Sequence, residues 1–193
     1  MSTLPSVESV AERAREILTA AETDPEFAAF NSASLQYSEG WTCSSGGPVI
    51  SEYDQATDAA PLFTEGLRAL CLKAAVYEAT GNERAAEIPV AVPVDEMTHA
   101  MIAQPQILAR ITARVGAQII HQTDQEHTDW TQNDYTHRGV PSRMGRPPAR
   151  YWITHEEVTR RLGILRAKYE AAGFRRMGLA HSITFEPEPV PAQ

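Results

Sequence analysis

The stretch from Pro61 to Thr80 constrains the fold of this chain most. Leu62, Phe63, Leu67, Leu70, Cys71, Ala74 and Tyr77 recur at helical spacing and form a broad apolar stripe. Proline at the start presets the helical φ, and Gly81 with Asn82 supplies residues that tolerate a left-handed C-cap. A stripe this broad is stable only under cover from other elements, and the remaining segments offer helices rather than strands.

Val7, Val10, Ala11, Ala14, Ile17, Leu18 and Ala21 keep helical spacing after Ser6 and Ser9, either of which can cap. Asp24-Pro25 restarts the chain into a short helix with Phe27 and Phe30. From Tyr37 to Ala60 no periodicity is sustained, which predicts a long loop. Ile88 to Val94 is apolar, but Pro89 and Pro93 reduce it to an edge strand or extended connector. Asp95 then caps a short helix with Met97, Met101 and Ile102. Pro105 opens another with Ile107, Leu108, Ile111, Val115 and Ile119 on one face. Near the C-terminus, Thr154 and Glu157 form a capping box. Val158, Leu162, Leu165, Tyr169 and Ala172 follow as a narrow seam that Gly163 weakens and Gly173 ends. The expected fold is mainly α, an irregular helical domain of about five or six helices with long loops and little β structure. The expected organisation is an acidic helical domain over 1–137, an extended arginine- and proline-rich arm over 138–150, a basic helix and short strand over 151–185, and a flexible tail over 186–193.

Charge is sorted along the chain. Residues 1–137 hold seven Lys and Arg against twenty Asp and Glu, a sum of −13. Residues 138–178 hold ten against three, a sum of +7. The whole-chain charge of −8 therefore conceals a basic C-terminal quarter. Pro141, Pro147 and Pro148 are expected to forbid a regular helix there and to favour an extended path for Arg138, Arg143, Arg146 and Arg150. Arg160 and Arg161 continue the positive field. These six arginines are the candidate nucleic-acid contacts, and the leading expectation is a non-enzymatic protein binding nucleic acid or another polyanion. A self-assembling structural protein with head-to-tail acidic and basic contacts between copies, such as a virion or connector component, is the alternative.

Two short resemblances bear on that expectation. Gly145-Arg146-Pro147 resembles the centre of an AT-hook, which implies an extended arginine in the minor groove of A·T-rich duplex; Met144 and Pro148-Ala149 depart from its flanks. Glu157, Val158, Leu162, Gly163 and Ile164 resemble the first helix and turn of small helix-turn-helix DNA readers, which implies a second helix over Leu165 to Ala172. The i,i+4 pairs Glu156 with Arg160 and Glu157 with Arg161 suit an ordinary exposed helix face equally.

The enzyme-like candidate is the stretch His121 to Asp129. Helical continuation past Ile120 places His121, Asp124 and His127 on a shared face, and imidazole with carboxylate is a ligand set for a divalent metal such as zinc or iron. A small metal-dependent enzyme is thus the second alternative, the only cofactor in view being that metal. Cys43 and Cys71 make neither a disulfide framework nor a zinc pattern. The N-terminal residues carry glutamates without an apolar core, and no apolar run reaches the roughly 18–20 residues of a membrane span. The expected location is cytoplasmic or within a cytosolic complex, with no membrane partner.

Overall fold

The computed structural model describes residues 4–40, 54–121, 135–175 and 180–181. Its helices are α1 (Val7–Glu22), α2 (Phe27–Gly40), α3 (Gln55–Thr80), α4 (Glu83–Ala86), α5 (Val92–Ile102), α6 (Pro105–Val115), α7 (Tyr135–Met144) and α8 (His155–Ala171). A two-residue antiparallel pair, Phe174 with His181 and Arg175 with Ala180, is the strand structure among the described residues. The fold is mainly α.

Helix α3 is the axis of the molecule. Helices α1, α2, α4, α5 and α7 pack on it, and α6 closes the far side by resting on α1, α2 and α5. Every residue from Ala69 to Val76 is buried, so this segment is enclosed on all sides as only a core helix is. Leu67, Leu70 and Ala74 face this core as their spacing predicts, with Ile111 joining from α6; Val115 is partly buried. Phe30 and Phe63 stack edge to face with centroids 5.8 Å apart, which fixes α2 against α3. Burial pushes the Cys71 thiol well above its ordinary pKa, as befits a small core residue.

Several boundaries differ from the sequence expectation. α2 runs to Gly40, into the stretch expected to be a loop. α3 begins six residues before Pro61, because Asp54 caps it: the Thr57 N–H donates to Asp54 Oδ1 at 3.1 Å, and the Asp54 N–H donates to Asp58 at 2.8 Å. These bonds extend the helix upstream and leave Pro61 inside it. α5 starts at Val92 with proline in its first turn, so Asp95 lies within the helix rather than at its cap.

The largest difference is α7. Arg138 to Met144 is helical, not extended, with Pro141 inside the helix. Tertiary packing overrides the proline: Thr136, Gly139, Val140 and Met144 are buried against α1 and α3. Only residues 145–148 follow an open path. α8 is capped as predicted, with the Glu157 N–H donating to Thr154 Oγ1 at 3.3 Å. It runs unbroken through Gly163, so the helix-turn-helix turn is not formed. Its seam residues Val158 and Leu165 make a small separate cluster with Val92, Ile153, Leu162 and Tyr169. Trp41 to Tyr53 within the expected loop, Arg176 to Leu179, and the residues from Ser182 through the expected tail lie outside the described residues.

Candidate metal centre

Asp95 and His99 stand one turn apart on α5, and that spacing puts both side chains on one face. Gly66 of α3 positions this helix. A Cβ at Gly66 would sit 3.1 Å from Met101 Cε and 3.3 Å from Met97 Cγ, so the small residue lets α5 lie close. The methionine face of α5 is thereby committed to α3, which leaves Asp95 and His99 to a different neighbour. That neighbour is the segment after α6. Gly116 ends α6 in the left-handed region at φ 72°, and the chain then runs without regular structure through Ile120, which is buried, to His121.

The result is a cluster of two imidazoles and a carboxylate. One ligand atom from each of Asp95, His99 and His121 lies within 4.8 Å of the other two. His99 Nε2 is 3.6 Å from Asp95 Oδ2, and the two imidazole rings meet edge to face with centroids 4.8 Å apart. Asp95 is buried, and the two histidines are part-buried. Both ring nitrogens of His121 are shielded from solvent without a hydrogen-bond partner among the described residues. Buried imidazole nitrogens are nearly always hydrogen-bonded or ligating, so this pair calls for a ligand. Burial, and secondarily the positive charges of Lys73 and His99, hold the His121 pKa down to about 3. Its imidazole is therefore neutral at neutral pH, with a lone pair available to a metal.

Around a bound ion with ligand bonds of about 2.0–2.2 Å, donor atoms stand about 3–3.5 Å apart. The candidate ligand atoms, within 4.8 Å of one another, stand a little wider than that. Lys73, close enough to act on His121, is held in a buried ion pair with Glu87, both 1% exposed at the side chain.

Of the sequence-proposed ligands, the structure places His121 in this cluster. Asp124, His127 and Asp129 lie outside the described residues. Sequence spacing does not reveal Asp95 and His99, because Asp95 stands where a helix cap is expected and its distance from His121 along the chain conceals the pairing. The one available signal was a carboxylate four residues before a histidine on a predicted helix.

The six candidate arginines divide evenly. Arg150 is bound to the chain's own acidic part: its Nε and Nη2 donate to Asp58 at 2.7 and 2.6 Å, and Tyr151 Oη donates to Asp58 Oδ1 at 3.0 Å. This pairing holds the Asp58 carboxyl well below the usual carboxylate range. Arg160 and Arg161 both grip Glu157, at 2.7 and 2.6 Å, which draws the Glu157 pKa down to about 2. Arg138, Arg143 and Arg146 are exposed and form no ion pair among the described residues. Trp152 is a buried anchor whose Nε1–H donates to Glu65 at 2.9 Å; Trp41 and Trp130 lie outside the described residues. Among the described residues no helix is long and apolar enough to cross a membrane. Comparison with protein-family models, with curated proteins and with solved structures finds no match to this chain.

Proposed function

We propose that this protein binds one divalent transition-metal ion, of the zinc or ferrous-iron class, through Asp95, His99 and His121. The observation that carries this reading is the part-buried His121 ring, its two nitrogens shielded and without a hydrogen-bond partner among the described residues, beside a carboxylate and a second imidazole within 4.8 Å. Two histidines and one carboxylate suit zinc with a fourth position open, and equally a facial iron site. A resident ion with open positions supplies Lewis-acid chemistry or an activated water. The protein's own part is to fix three donors on two separate elements and to shield them from bulk water. This reading moves the metal-dependent alternative from the stretch His121 to Asp129 onto a site of which only His121 is shared.

The test is metal analysis of the protein after chelator treatment and dialysis against zinc or, anaerobically, ferrous iron. About one ion per chain is expected. His121→Ala and Asp95→Asn should each lower affinity by at least about tenfold, with an unchanged circular-dichroism spectrum. Cobalt substitution gives a second readout, since visible absorption bands report nitrogen and oxygen ligation. Failure of wild-type protein to retain any of the three metals at micromolar concentration ends this reading.

A further inference from the structure

No acidic residue occurs from Tyr135 to His155, a stretch with four arginines. One of these, Arg150, is committed to Asp58. The other three are presented by a firm support rather than by a loose arm. Helix α7 is docked through Thr136, Gly139, Val140 and Met144, and Gly139 lies so close to Leu72 that an added Cβ would fall 2.8 Å from its Cδ2. Arg138 and Arg143 are thus exposed on an element whose backbone is fixed. Beyond α7 the chain turns at Gly145, with φ 88°, and Pro147 is buried, which anchors Arg146 between them.

A fourth guanidinium reaches this turn from the core. Arg68 of α3 pairs through Nη1 with Glu65 at 2.6 Å, its Nη2 lies 4.0 Å from the position a Gly145 Cβ would take, and its buried Nε has no hydrogen-bond partner among the described residues. Planar guanidinium forks match phosphate oxygens in a way that lysine does not. The nearest core acids, Asp58 and Glu65, are already neutralised by Arg150 and Arg68.

We propose that α7 and the Gly145 turn form a docking surface for the phosphate backbone of a nucleic-acid duplex. Arg138, Arg143 and Arg146 contact phosphates, and Gly145 is the point of close approach. Spacing favours a polymer over a single phosphate. Arg138 and Arg143 are about 7.5 Å apart along the axis of α7 and about 140° apart around it, so one phosphate does not meet both. The exposed Glu8 and Glu12 on α1, the helix beside α7, oppose binding, while the arginine–phosphate contacts make it weaken as salt rises.

Fluorescence anisotropy with a labelled mixed-sequence duplex at low salt, in the presence of chelator, tests this. The double variant Arg143→Ala/Arg146→Ala should weaken binding by at least about tenfold and reduce the log K against log salt slope by about 1.8, at about 0.9 per lost contact. The charge-matched control Arg15→Ala/Arg84→Ala, altering two exposed arginines on α1 and α4, should stay within about twofold of wild type. His121→Ala should bind duplex as wild type does, so this result is independent of the metal site. The proposal is overturned by absence of duplex binding at low salt, by equal weakening in both double variants, or by capture of inorganic phosphate without capture of duplex.

Discussion

Asp58, Glu65 and Lys73 are the buried charged residues of α3, and each is answered by a group from elsewhere in the chain. Asp58 meets Arg150 and Tyr151, Glu65 meets Trp152 and Arg68, and Lys73 meets Glu87. Buried charge survives only with such partners, so these contacts register distant segments onto one helix. Packing is equally specific at single positions. Leu70 is fully enclosed, and Leu70→Ala should cost about 2–5 kcal/mol. Gly139→Ala errs in the opposite direction, driving a methyl into Leu72 and costing about 1–3 kcal/mol by overpacking. Urea denaturation of the two variants checks both; a neutral Gly139→Ala would show that α7 is not held against Leu72.

Ties between elements depend on pH. Asp24 and Glu26, ahead of α2, meet Arg114 and Arg110 of α6 at 2.6–2.7 Å. The hydrogen bonds from Arg110 and Arg114 draw the Glu26 pKa from its ordinary 4.5 down to about 2. A carboxylate depressed in the folded state stabilises fully above its unfolded pKa, and that stability is lost as pH falls toward the folded value. Melting temperature should therefore decline as pH drops from about 5 to about 2, and Glu26→Gln should start lower at neutral pH and decline less. An identical decline in both proteins would remove Glu26 from the account. At α8 the Thr154 cap is the local device: Thr154→Ala should cost about 1 kcal/mol. Because α8 packs chiefly through its own small cluster, that loss should appear as faster amide exchange within the helix, with little change in the global melt.

For the whole molecule, the proposed ion joins α5 to the segment after α6, two pieces that otherwise meet only by packing. A ligand bound by the native state alone adds about 2.7 kcal/mol at a hundredfold excess over its Kd. Zinc should accordingly raise the melting temperature of wild type and leave His121→Ala unmoved; an equal rise in both would place the metal elsewhere. Charge sorting also supports a proposal that copies associate head to tail, acidic part to basic part. Any such association should weaken between about 0.05 and about 0.5 M salt, as exposed charge contacts are screened. Sedimentation showing a monomer at both salts and at high protein concentration would dismiss it.

The sequence by itself determined the helices whose apolar positions repeat locally, α1, α3, α6 and α8, with the Thr154 cap and the glycine stop at Gly81; α6, expected to run through Ile119 and past Ile120, ends instead at Gly116. Such features depend on neighbours within a turn or two, and spacing records them directly. Only the tertiary structure decided that Pro141 lies in a helix, because the burial of Gly139 and Val140 outweighs a lost backbone hydrogen bond. It alone showed that Arg150 belongs to Asp58 while Arg143 and Arg146 remain exposed, since the attraction between opposite charges is set by distance in space and not along the chain. The candidate centre follows the same rule. His121 stood out in the sequence, but its partners Asp95 and His99 are brought to it by the close approach of α5 to Gly66 and by the turn at Gly116, and long-range packing of that kind leaves no periodic mark.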